Sequence, residues 1–157
     1  MYKKILVPLD GSELAECALN HAKKLFQDGP AGEVVLLNAV VVEIPWGEIK
    51  GVGDGRAANF DYDALKKAFM DKSRKYLARV KSRLASDGID VKTKAIESNG
   101  ASQTITNYAQ ENGVELIVIA THGYTGMKKM MLGSVALKVL HESNVPVLLI
   151  RPETCRV

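Results

Sequence analysis

The stretch Ala120-Thr121-His122-Gly123, followed after nine residues by Gly133-Ser134, carries the residue types in this chain best suited to holding an anion. Ahead of it lies the apolar run Leu116-Ile117-Val118-Ile119, which reads as a buried strand. Behind it a helical pattern with Val135, Leu137, Val139 and Leu140 ends near His141. A buried strand that feeds a glycine-bearing loop and then a helix N-terminus is a ready phosphate cradle. Glycine lets backbone N–H groups approach an anion, and the first helical turn presents unpaired donors at the positive end of its dipole. Ser134 adds a hydroxyl there. A second segment with similar potential is Pro8-Leu9-Asp10, which sets a carboxylate directly behind the short strand Ile5-Leu6-Val7. Asp10-Gly11-Ser12 also has the form of a turn that starts a helix, with Ser12 as its cap. Asp10 is therefore open to either role, turn residue or ligand contact.

The elements between these segments decide whether they meet. After Ser12, the residues Leu14, Ala15, Ala18, Leu19, Ala22, Leu25 and Phe26 recur at helical spacing, and Asp28-Gly29-Pro30 ends the helix. Val34 to Val42 reads as a strand apolar on both faces, as a parallel sheet requires. A glycine-rich loop spans Glu43 to Asn59. A long helix comes next, with Leu65, Phe69, Tyr76, Leu77, Val80 and Leu84 on one face, stopping at Gly88. Val91 to Ile96 is a strand, and Ala101 to Asn112 a helix with Ile105 and Ala109 inward and Gly113 as its stop. Leu116 to Ala120 and Val145 to Ile150 complete the strands. This alternation predicts a single α/β domain over residues 1–157, with a five-stranded parallel sheet between two helical layers. Of the few orders that right-handed crossovers allow, 3-2-1-4-5 is a common one. It would set Pro8-Leu9-Asp10 against Ile119 to Gly123 across the crevice where such folds bind ligands.

Other features exclude more than they assign. A net charge of +3 permits anionic ligands without demanding nucleic acid. No apolar run approaches a membrane span, and Met1-Tyr2-Lys3-Lys4 does not lead into a signal peptide's long apolar segment, so a cytoplasmic location is expected. Cys17 and Cys155 lie far apart, which is no disulfide framework, and Cys17 reads as a packed or half-buried thiol. His21, His122 and His141 lack ligand spacing, so no metal site is expected. Gly51-Val52-Gly53-Asp54-Gly55-Arg56 lacks the third glycine of a dinucleotide fingerprint and reads as a loop, with Trp46 exposed beside it. Lys128 and Lys129 read as solvated, and no Gly-Lys-Ser/Thr tripeptide marks a P-loop. The basic residues of the long helix, Lys66 to Arg83, read as a solvated face.

The spacing of Gly123, Gly133 and Ser134 resembles the nucleotide loop of the universal stress protein family: glycine, two residues, glycine, nine residues, glycine, then serine or threonine. The likeness extends to Lys3-Lys4-Ile5-Leu6-Val7-Pro8-Leu9-Asp10-Gly11-Ser12 and to Gly133-Ser134-Val135 through Val145-Pro146-Val147-Leu148, so it covers essentially the whole chain. Ala120 replaces the first glycine, adding a methyl and disfavouring positive φ. The resemblance implies an adenine nucleotide alpha hydrolase-like fold. It also implies a site for ATP, or for ADP or AMP, with Mg²⁺ carried by the nucleotide. Gly123, Gly133, Ser134 and Val135 would contact phosphates, while Pro8, Asp10 and Ala39 would hold the adenosine part beside Ile119 and Ala120. It further implies a nucleotide-dependent stress-response protein with slow or no hydrolysis, and a homodimer through the apolar edge Val145 to Ile150. The alternatives are an interaction dimer of the same fold without nucleotide and, further off, a nucleotide hydrolase or nucleotidyl transferase.

Overall fold

In the computed structural model, which describes residues 2–27, 32–47, 60–121 and 132–151, strands and helices alternate strictly. They run β1 (Lys4–Pro8), α1 (Glu13–Gln27), β2 (Glu33–Val40), α2 (Tyr62–Ser86), β3 (Val91–Glu97), α3 (Ala101–Glu111), β4 (Leu116–Ala120), α4 (Ser134–Glu142) and β5 (Val147–Ile150). The strands form one sheet in the order β3-β2-β1-β4-β5, and every neighbouring pair is parallel. This is the order expected from the alternation of elements.

The period of two along each strand divides the core into two layers. Ile5, Val7, Val34, Leu36, Leu116 and Val118 face α1 and α2, where they meet Ala18, Leu19, Leu77 and Val80. Leu6, Val35, Leu37, Ile117 and Ile119 face α3 and α4, where they meet Ile105, Ala109, Ala136 and Val139. Leu6, Leu36, Leu37 and Ile117 are completely buried, and each such side chain contributes about 1.5–3 kcal/mol of transfer free energy.

The two expected glycine stops are realised by one geometry. Gly88 (φ +77) and Gly113 (φ +64) take the left-handed conformation. The amides of Ile89 and Val114 then reach back to the carbonyls of Leu84 and Ala109, each at 3.0 Å. All four flanking residues are buried, so each stop combines satisfied carbonyls with an apolar contact.

Several expected boundaries shift. β2 ends at Val40 instead of Val42, because its partner β3 ends opposite at Glu97 and the Val40 carbonyl receives the Ser98 amide at 2.8 Å. β5 begins at Val147 instead of Val145, since Ser143 Oγ turns the chain by bonding both the Val145 amide and carbonyl. On α4 the buried face is Ala136 and Val139, while Val135, Leu137 and Leu140 are exposed. Cys17, expected as a packed thiol, is disulfide-bonded; separation along a chain does not fix separation in space. Cys155 lies outside the described residues.

At the N-terminal edge of the sheet, Glu33 joins three strands. Lys4 Nζ lies 2.9 Å from its Oε1, and Lys92 Nζ pairs with its Oε2. Lys92 and Lys4 hold the Glu33 carboxyl below the ordinary carboxylate range. Its contribution to stability is therefore complete above the unfolded glutamate pKa of about 4.3 and is lost as pH falls through the lowered folded value. Glu33→Gln is expected to flatten the decline in Tm below about pH 4.5, as read by circular dichroism melts across pH.

Candidate functional site

β1 and β4 are neighbours in the sheet, yet α1 leaves β1 on one face and α4 leaves β4 on the other. The connections diverge and open a crevice at the C-terminal ends of these strands. A cleft of about 450 Å³ lies there, within the roughly 300–1,000 Å³ range of small-molecule sites. Pro8, Asp10, Ala39, Ile119, Ala120, Gly133, Ser134 and Val135 all line it. These are the site residues expected from the sequence, apart from Gly123, which lies outside the described residues together with His122, Lys128, Lys129 and Gly51 to Arg56.

Each is positioned by a local cause. β1 ends at Pro8, and the Leu9 amide extends the pairing by donating to the Leu37 carbonyl at 2.8 Å. The Asp10 carboxylate accepts from both the Ser12 amide (2.9 Å) and the Ser12 hydroxyl (2.6 Å) through Oδ1. The Ser12 hydroxyl oxygen in turn caps α1 by accepting from the Ala15 amide at 3.1 Å. The two roles open to Asp10 are thus compatible: it builds the turn and also lines the cleft.

Ala120 is the last residue of β4 and is paired in register with Ile150. Among the described residues only glycines have positive φ, so the demand that would penalise alanine does not arise. Ala120 is 6% exposed and lines the cleft. Thr121 then takes the chain out of the sheet. Its amide donates to the Ile150 carbonyl at 2.8 Å, and its carbonyl receives the Gly133 amide at 2.6 Å.

That second bond pins the start of α4 beside the end of β4. Gly133 is the N-cap and makes no side-chain cap bond. Its carbonyl accepts the first helical bond, from Leu137, at 2.9 Å. The amides of Ser134, Val135 and Ala136 precede that first bond, so no intrahelical acceptor is available to them. All three residues line the cleft, where the helix dipole favours negative charge. The sequence reading missed further lining residues, including Glu43 and Ala101. Thr121 was legible as the residue after a cleft-lining strand end. Glu43 and Ala101 carry no such signal, because their place depends on how β2 and α3 leave the sheet. Glu43 adds a second carboxylate to that of Asp10. Among the described residues no group of three or more His, Cys, Asp or Glu is placed to hold a metal ion.

A doubly wound α/β domain with a ligand-sized cleft at its topological switch point defines the class. Residues 1–151 match the universal stress protein family, and the chain belongs to it. It is 34% identical over 157 residues to the universal stress protein MJ0577 of Methanocaldococcus jannaschii, with 96% of each chain covered. The solved structure of MJ0577 superposes with a TM-score of 0.75 over 96% of both chains, at 35% identity. Two others share the fold at lower identity. One is a universal stress protein in complex with cAMP (TM-score 0.59, 22% identity, 95% of this chain and 97% of that one). The other is an Arabidopsis thaliana family protein with AMP bound (TM-score 0.63, 14% identity, 95% and 91%).

Proposed function

We propose that this universal stress protein family member binds an adenine nucleotide, ATP foremost, in the cleft between β1 and β4, and acts as a nucleotide-dependent regulatory protein in the cytoplasm. The observation that carries this reading is one cleft joining a carboxylate-bearing turn at one side to three helix-start amides at the other. Ser134 and Val135 would hold phosphates through backbone donors and the Ser134 hydroxyl, while Gly133, its own amide held by the Thr121 carbonyl, would keep the approach to those donors open. Pro8, Asp10 and Ala39 would hold the adenosine part, with Ile119 and Ala120 beneath it. Asp10 presents an acceptor suited to the adenine amino group, and the small side chains of Ala39 and Ala120 leave room for a ring and a ribose. Mg²⁺ would enter on the nucleotide's phosphates. Complexes of other family proteins with AMP and cAMP support the ligand class.

The test is chemical. Protein purified without added nucleotide, then denatured, is expected to release an adenine nucleotide identifiable by mass. Bare protein that also fails to take up ATP would leave the interaction dimer without nucleotide as the better reading.

A homodimer through β5 belongs to the same proposal. The two sheet edges differ: β3 carries Lys92 and Lys94, charges that discourage edge pairing, whereas β5 reads Val-Leu-Leu-Ile. Leu137, Leu140 and Leu148 near that second edge are 37–43% exposed. Light scattering is expected to give twice the chain mass for the wild type and the single-chain mass for Leu148→Asp. A monomeric wild type would contradict the dimer.

A further inference from the structure

Two polar residues interrupt otherwise apolar patterns and meet each other. Asn38 comes after Val34-Val35-Leu36-Leu37 within β2, and Ser73 shares the buried stripe of α2 with Leu77, Val80 and Leu84. The Ser73 hydroxyl, 7% exposed as a residue, donates to Asn38 Oδ1 at 2.8 Å. Asn38 Nδ2 donates to the Leu9 carbonyl at 2.6 Å. Because the Leu9 carbonyl can only accept, the Asn38 amide nitrogen must face it, and the amide oxygen is then held by the Ser73 hydroxyl. An apolar residue in place of Asn38 would leave the Leu9 carbonyl without this partner. This pair supplies direction, and departures from local pattern of this kind cluster at functional sites.

That direction bears on Asp10, the residue after Leu9. The Leu9 amide is held by Leu37 and its carbonyl by Asn38, so both backbone polar groups of the residue before Asp10 are fixed. Neither Asn38 nor Ser73 lines the proposed nucleotide cleft. Both line a smaller hollow of about 220 Å³ on the α2 side of the sheet edge, and Asp10, Ala39 and Val41 form the wall shared by the two.

We infer that Ser73 and Asn38 are positioning residues that aim the Asp10 carboxylate into the adenosine end of the cleft, and so set base recognition without touching the nucleotide. The inference rests on the adenine-nucleotide reading above. Calorimetric titration of the full chain with ATP and with GTP tests it on wild type, Ser73→Ala and Ser73→Thr, with melting curves to verify folding. Wild type is expected to prefer ATP. Ser73→Ala should raise the ATP Kd about fivefold, the size of one lost neutral hydrogen bond. The GTP Kd should stay within about twofold, because the phosphate side is untouched. Ser73→Thr keeps the hydroxyl and should restore the wild-type ATP value. An unchanged ATP Kd in a folded Ser73→Ala, or an equal rise for both nucleotides, would overturn the inference while leaving nucleotide binding intact. A wild type that takes ATP and GTP equally also overturns it. No heat from wild type with either nucleotide would remove the adenine-nucleotide reading and this inference together.

Discussion

Gly133→Val is expected to abolish measurable ATP binding while leaving the fold in place. Gly133 sits at φ −58 and ψ 146, a region open to valine, so backbone strain is not the cause. The change is in the space beside the donors. The residue lines the cleft, caps α4, and is pinned by its amide to the Thr121 carbonyl. A branched side chain there occupies space through which a phosphate would reach the helix-start amides. The expected loss in affinity is a hundredfold or more, at least about 2.7 kcal/mol. Valine is a poor N-cap compared with glycine, so stability should fall by about 1 kcal/mol. A titration paired with a denaturant melt separates the two effects. Wild-type affinity in a folded Gly133→Val would show that the nucleotide does not approach this end of the cleft.

Asp10 carries the second large effect, and two substitutions divide its roles. Asp10→Ala removes the acceptor for the Ser12 amide and hydroxyl and takes a carboxylate from the cleft. Both stability and nucleotide affinity should drop, stability by about 1 kcal/mol through the weakened start of α1. Asp10→Asn retains an Oδ1 acceptor for Ser12 while discarding the charge. Its Tm should lie within about 2 °C of wild type, yet its ATP Kd should rise about tenfold, the scale of a charge-assisted hydrogen bond. If Asp10→Asn binds ATP as wild type does, Asp10 is a turn residue only.

The contrast between Asp10 and Ser73 shows what a sequence reveals and what it hides. Asp10 is legible because its neighbours spell a turn at the end of an apolar strand, and the expected strand order brings that turn to the switch point. Alternation and handedness leave few strand orders, and the common one among them brings the crevice to this place. Ser73 is illegible from the same pattern. A serine in a lysine-rich helix reads as surface, and only the rotation of α2 on the sheet sets it against Asn38. Rotation likewise explains α4, where Val135, Leu137 and Leu140 signal the helix while Ala136 and Val139 form its buried face. Small residues can be buried where large ones leave the helix edge exposed, and composition cannot say which. Ala120 shows the same limit from the other side. Its departure from the glycine pattern reads as costly in the sequence, but its place at the end of β4 removes any need for positive φ. Cys17 marks a further limit, since a disulfide requires proximity that spacing does not express.

Whether this cleft holds an adenine nucleotide is decided by calorimetric titration of wild-type protein, stripped of any carried nucleotide, with ATP and Mg²⁺. Saturable heat with a stoichiometry of about one nucleotide per chain, lost in Gly133→Val, is the predicted result. No heat at millimolar ATP, from protein shown to be folded by its melting curve, would contradict it.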